Sequence, residues 1–244
     1  MGLRWVTATG TIRAIAAVDP TVATRIFGSS EAIALGGWPG ATTGRTWASY
    51  ARFAEDVATG AIPDEVRVVM YDPESWDATP PLEKQDPTAY IEAFCTLARS
   101  HGYFVVVTPH PNLVSVPESA HEPGAGESRE AAYLRSGIIE ASAANADAVE
   151  TQAQTLQRDP AAYREFVVDS ARIARNVKPD VQVLSGLSTH PGYPATPEML
   201  KDAWACVRDI VDGHYLSLAR LRLREVAASF LSATLRTPDR SPIR

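Results

Sequence analysis

The chain has 244 residues, of which 45% are hydrophobic and 21% charged, and its formal net charge is −6. That length suits one large α/β domain with a sizeable core, and the acidic balance speaks against a nucleic-acid partner or an anionic membrane surface. Its two cysteines, Cys95 and Cys206, are too few for a disulfide framework, and no run nears the roughly 20 apolar residues of a transmembrane helix.

The segment from Met1 to Val18 carries Arg4 and Arg13 but no long apolar stretch, so no signal peptide is expected and a cytoplasmic location is the default. Trp5 to Ile12 alternates in the manner of a first strand, and Pro20 to Phe27 has the pattern of a short helix. Glu31 to Gly36 reads as a strand running into Gly36-Gly37-Trp38-Pro39-Gly40, a loop signal. From Thr46 to Thr59 the apolar residues Trp47, Tyr50, Phe53, Ala54 and Val57 recur at helical spacing.

Val66 to Tyr71 is a near-continuous apolar run, as expected of a strand buried on both faces. Asp86-Pro87 opens a helix that reaches about Ser100, with Asp86 as N-cap and Pro87 at the first helical position. Phe104 to Val107 is another buried strand, followed by a long proline- and glycine-rich segment from Thr108 to about Glu127. A loop of that length in a compact domain is functional or mobile. Arg129 to Ala144 is expected to be helical and Ala146 to Gln154 a strand. Asp159-Pro160 starts a further helix that runs to Asn176, and Val181 to Leu184 is a strand. Thr196-Pro197-Glu198 opens a helix ending near Gly213, His214 to Leu218 is a last short strand, and the pattern is helical through Leu235.

Strands alternating with helices imply βαβ units and a parallel sheet. The expected fold is a single (β/α)-barrel domain over residues 1–236, of seven to eight strands, followed by a disordered tail over 237–244. The competing architecture is an open doubly wound sheet. No G-x-G-x-x-G follows the first strand and no phosphate-binding P-loop occurs anywhere, so no nucleotide cofactor is implied.

Barrels of this kind bind ligands at the C-terminal ends of their strands. Asp72 and Glu74 directly follow the Val66–Met70 run and are flanked by Tyr71 and Trp76. Two carboxylates can serve as acid, base or nucleophile, while aromatic rings stack on the apolar face of a sugar. The structural alternative is that both acids cap a turn or pair with an arginine; Arg45, Arg129 and Arg135 are the candidates. In Ala146–Gln154, the residues Glu150, Gln152 and Gln154 share one face. If Val149, Thr151 and Ala153 meet the helices, that polar face points into the barrel, and Glu150 becomes a further catalytic candidate; the opposite register leaves it solvated at an edge. His110 and Asn112 follow the Phe104–Val107 strand, Ser188 and His190 follow Val181–Leu184, and Trp38 follows the second strand. These, with Tyr71, Trp76, Gln152 and Gln154, are the candidate substrate contacts. A metal site is not expected, because H-E-x-x-H and C-x-x-C are both absent from the sequence. A nucleophile elbow is likewise unsupported, because Ser185-Gly186-Leu187-Ser188 is not G-x-S-x-G.

The segments Tyr71-Asp72-Pro73-Glu74-Ser75-Trp76, Glu150-Thr151-Gln152-Ala153-Gln154 and Gly186-Leu187-Ser188-Thr189-His190-Pro191 resemble segments of a family of uncharacterised actinobacterial (β/α)-barrel proteins. The likeness spans about Ala34 to Leu218, and twenty arginines against three lysines fit a high-GC genome of that kind. The resemblance implies a barrel related in architecture to glycoside hydrolases. The chain departs from the family at His190 and Ser217, where the family carries Asn, so roles at those two positions do not transfer. Three functions remain open at this point. One is a glycoside-hydrolase-like enzyme acting on a carbohydrate or polyol-like small molecule. The second is a lyase, cyclase or isomerase using the same carboxylates. The third is a non-catalytic small-molecule binding protein. The sequence sets no oligomeric state.

Overall fold

The computed structural model describes residues 2–116, 123–190, 196–218 and 223–236. The expected tail over 237–244 lies outside them. Among the described residues there are eight strands: β1 (Trp5–Ala8), β2 (Ala32–Leu35), β3 (Thr42–Trp47), β4 (Val68–Tyr71), β5 (Phe104–Val107), β6 (Ala148–Thr151), β7 (Gln182–Ser188) and β8 (Gly213–Ser217). They hydrogen-bond in chain order, and β8 pairs with β1, so the parallel sheet closes into a barrel with surrounding helices. The helices are α1 (Thr9–Ala16), α2 (Pro20–Phe27), α3 (Tyr50–Ala58), α4 (Pro81–Gln85), α5 (Pro87–Ser100), α6 (Arg129–Leu134), α7 (Ile138–Asn145), α8 (Pro160–Val177), α9 (Pro197–Val207) and α10 (Arg224–Leu235).

Several boundaries differ from the sequence reading. Only Trp5–Ala8 of the first expected strand is extended, and the chain turns helical at Thr9. The expected helix from Thr46 begins at Tyr50, and Thr42–Trp47 before it is a strand, which supplies the eighth. The expected single helix from Arg129 is two, broken at Gly137, whose φ of +79° is a left-handed conformation that glycine adopts without strain.

Two compact units emerge from the backbone contacts. One holds β1, α1, α2, β2, the end of β7, α9, β8 and α10. Its core centres on Trp5, which meets Phe27, Phe230 and His214 at ring distances of 6.4, 6.1 and 5.2 Å. A Cβ at Gly213 would come within 2.5 Å of the Leu3 carbonyl oxygen, so β8 approaches the start of β1 at a distance only glycine allows.

The other unit spans Gly44–Gln152 with Asp169–Val183. An aromatic stack ties its helices to its strands: Trp47 on β3 meets Phe53 on α3 at 5.0 Å, Phe53 meets Phe94 on α5 at 4.1 Å, and Phe94 meets Tyr71 on β4 at 4.7 Å. Each such ring contributes on the order of 1.5–3 kcal/mol by leaving water. The stack also fixes the facing of the strands. Tyr71 pairs in register with Val107, and Val107 with Val149. Because Tyr71 turns outward to α5, alternation turns Asp72, Thr108 and Glu150 inward as one layer.

Candidate active site at the end of the fourth strand

β4 is apolar through Met70, as burial of every one of its residues requires. Its last residue, Tyr71, is fully buried. Asp72 and Glu74 follow on a loop that leads to α4, and both are partly exposed. Asp72 is held at one oxygen. Its Oδ1 accepts from Thr108 Oγ1 at 2.8 Å and from Gln152 Nε2 at 2.9 Å. The same Gln152 amide donates to the Thr108 carbonyl at 2.6 Å, so the ends of β4, β5 and β6 are joined through one side chain. Burial pushes the Asp72 carboxyl up to about 6, against the opposing pull of the Thr108 and Gln152 hydrogen bonds.

Glu74 stands in a different environment. Its backbone N–H donates to Thr79 Oγ1 at 3.0 Å, which folds the loop back on itself. Burial pushes its carboxyl up to about 7, the Asp72 charge adds to that rise, and a hydrogen bond with Asn112 opposes it. The orientation of Asn112 follows: its Oδ1 accepts from Ser75 N at 3.1 Å, leaving the amide NH2 for Glu74. His110 Nδ1 accepts from Asn112 N at 3.0 Å, so the neutral ring carries its proton on Nε2. Burial, with the Arg129 charge second, holds the His110 ring down at about 4 and therefore neutral.

The structure thus brings Asp72, Glu74, Asn112, His110 and Gln152 together at the ends of β4, β5 and β6. Glu150 is 1% exposed on β6, in the same inward layer as Asp72 but two strands along. At ordinary strand spacing that separates their Cα atoms by on the order of 10 Å. Tyr71 does not face this group: its ring lies in the aromatic stack and its hydroxyl donates to Glu83 Oε2 at 2.8 Å. Trp76 is 54% exposed, two residues beyond Glu74, with its backbone carbonyl accepting from Lys84 Nζ. Trp38, Gln154, Ser188 and His190 belong to the first unit. There, Gln157 clamps the Ser188 backbone through both of its amide atoms, at 2.6 and 3.1 Å, and Ser188 Oγ accepts from His190 N at 3.0 Å.

Sequence reasoning missed Glu83. In Pro81-Leu82-Glu83-Lys84 it has the look of an ordinary acidic residue in a first helical turn, yet it is 1% exposed. Its partners lie on α3 and β4, and no local spacing announces them.

Chemically, the arrangement offers two neighbouring carboxyls that burial raises above the ordinary carboxylate range, one held by two side-chain donors, with a neutral imidazole linked to them through Asn112. Among the described residues no group of three or more His, Cys, Asp or Glu is placed to hold a metal ion. Among them, too, no helix is long and apolar enough to cross a membrane.

No family model and no curated protein matches the sequence. Among solved structures, triosephosphate isomerase from Bartonella henselae is similar over 97% of this chain and 100% of that one, at 12% identity and a TM-score of 0.47. A GH18 chitinase from Pseudoalteromonas aurantia matches over 93% and 99%, at 12% identity and a TM-score of 0.45. An alpha-L-fucosidase, as a fucosyltransferase mutant, matches over 75% and 78%, at 9% identity and a TM-score of 0.30. At these identities the likeness carries no statement about activity.

Proposed function

We propose that the protein is a glycoside-hydrolase-like barrel enzyme acting on a carbohydrate or polyol-like small molecule, with Glu74 as general acid and Asp72 as its ionised neighbour. The observation that carries this reading is the coupled pair itself: Glu74 is pushed up to about 7, and the Asp72 charge contributes to that rise. A carboxyl still protonated near neutrality is what protonation of a leaving-group oxygen requires. In this scheme Glu74 passes its proton to the glycosidic oxygen as the bond from that oxygen to the anomeric carbon breaks. The negative charge of Asp72 stabilises the cationic sugar. Water adds to the anomeric carbon and loses a proton to Glu150. The stereochemical outcome follows from the separation of the Glu74 and Glu150 carboxyls: roughly 6.5–9.5 Å leaves room for that water and gives inversion. Trp76 and the His110 Nε2–H supply stacking and hydrogen bonding to the sugar, and Asn112 and Gln152 hold the acids in place.

A panel of nitrophenyl glycosides tests the reading. Glu74→Gln should lower turnover by about 10²–10⁴ with binding retained. The rate should peak between about 6 and 7, where Asp72 is ionised and Glu74 still protonated. Full activity in Glu74→Gln would sink the scheme. The adjacency of Asp72 and Glu74 also favours a second reading, a lyase, cyclase or isomerase in which the pair relocates a substrate proton. Inactivity towards every glycoside, together with deuterium wash-in from solvent to a non-sugar substrate, would select it.

A further inference from the structure

The Glu83 carboxylate is enclosed and fully engaged. Oε1 accepts from Ser49 Oγ at 3.1 Å and from Ala51 N at 3.1 Å; Oε2 accepts from Tyr50 N at 2.7 Å and from Tyr71 Oη at 2.8 Å. Ser49 is the N-cap of α3, so the carboxylate faces the positive end of that helix. Tyr71 immediately precedes Asp72, and Glu83 lies on α4, where the loop carrying Glu74 ends. The Tyr71–Glu83 hydrogen bond therefore closes the base of the loop over residues 72–82. Within that loop, Thr79 is fully buried and accepts from Glu74 N, Thr79 N donates to the Trp76 carbonyl at 3.2 Å, and Lys84 Nζ lies 3.3 Å from the Ser75 and Trp76 carbonyls.

The geometry points to Glu83 as the positioning residue for Glu74, acting through Tyr71 and the clamped loop and never touching substrate. The inference rests on the reading of Glu74 as the acid. A loop tied at both ends and once in the middle holds one carboxyl against Asp72 and Asn112 without spending substrate-binding energy on ordering it. Freed at its base, the loop samples positions in which Glu74 is better hydrated and farther from Asp72. The charged and titratable groups around this region are Asp72 just after β4, Asp77 on the loop itself, and Glu83 and Lys84 on α4, with neutral His110 reaching it through Asn112 and facing Arg129 and Glu130.

Two variants test the clamp. Glu83→Gln leaves one acceptor oxygen where there were two, so part of the α3 N-terminus loses its partner. Tyr71→Phe keeps the aromatic stack and removes only the hydroxyl, with no change of charge. In both, the Glu74 titration, followed by carboxyl-carbon NMR, should fall by about one pH unit. With a hydrolysable glycoside, kcat should drop by about 10- to 100-fold with little change in KM, and the alkaline limb of the pH–rate profile should move to lower pH. A role confined to stability would lower the melting temperature and leave the Glu74 midpoint and the pH profile of the folded enzyme in place, which overturns the inference. Should Glu83→Gln fail to fold, Tyr71→Phe decides alone. The NMR titration needs no substrate. If the wild type turns over no glycoside, the functional reading falls while the clamp is still decided. If the wild type turns over a glycoside and Glu74→Gln does not, an unmoved Glu74 midpoint in both clamp variants removes the clamp alone.

Discussion

Asp72 and Glu74 are two residues apart in the chain and differ in what holds them. Asp72 receives two side-chain hydrogen bonds on one oxygen, whereas Glu74 is anchored mainly through its backbone. The Thr108 hydroxyl has one proton to give. It lies 2.8 Å from Asp72 Oδ1 and 3.3 Å from the Tyr71 carbonyl, and the charged acceptor takes it. That bond favours the ionised form of Asp72, so removing it must raise the Asp72 pKa further. Thr108→Val, which keeps the shape, should move the Asp72 midpoint above about 6 and carry the acid limb of the pH–rate profile with it. A midpoint that stays or falls would show that the Thr108 hydroxyl does not hold the group down. The strand-end position of these two acids is legible in the sequence, because an apolar run and the polar residues that end it are local features. The inward facing of Glu150 follows from alternation once one outward neighbour is known. Glu83 is not legible, because its meaning depends on Ser49, Tyr50 and Ala51, which reach it only through tertiary packing.

Among the elements, β3 and α3 show where pattern reading gives out. Thr42-Thr43-Gly44-Arg45-Thr46-Trp47 has no apolar run, and Trp47 falls at helical spacing with Tyr50 and Phe53. The β-branched threonines were the available signal, and the packing of a strand between β2 and β4 decides the matter. The junction is then held by Asp56 of α3, which is 2% exposed. Its Oδ2 accepts from Trp47 Nε1 at 3.0 Å and from Arg45 Nη2 at 2.8 Å, and Arg52 Nε lies 3.4 Å from Oδ1. Asp56→Ala leaves the buried Trp47 indole N–H without its acceptor and takes one acceptor from the part-exposed Arg45 guanidinium, which keeps the Ala61 carbonyl. It should cost about 2–3 kcal/mol in urea unfolding. A loss no greater than that of an exposed substitution would remove the network from the account of this junction. The apolar strands β4 and β5, by contrast, fall within two residues of where the sequence places them, because burial on both faces leaves little but valine-rich runs.

At the scale of the molecule, the perturbed groups make a joint statement about pH. The Asp72 and Glu74 carboxyls are raised from 3.8 and 4.5 to about 6 and about 7. The folded state therefore binds their protons more tightly than the unfolded chain, and the stability they contribute at low pH is lost as pH rises through that interval. His110 and His214 are lowered from 6.5 to about 4 and about 3, chiefly by burial. Here the unfolded chain binds the protons more tightly, so stability is gained as pH rises towards 6.5 and lost as it falls. Between about 4.5 and 6 both pairs are active with opposite sign. Each group contributes on the order of 1.4 kcal/mol per pH unit at most, and two against two leaves the wild-type stability nearly level across that window. Removing the carboxyls unmasks the histidines. Asp72→Asn combined with Glu74→Gln should unfold at urea concentrations that climb with pH from 4.5 to 6, and it should exceed the wild type at pH 7, where burying ionised acids costs most. A double variant whose stability stays level over the same range would mean that the two histidines do not carry the opposing slope.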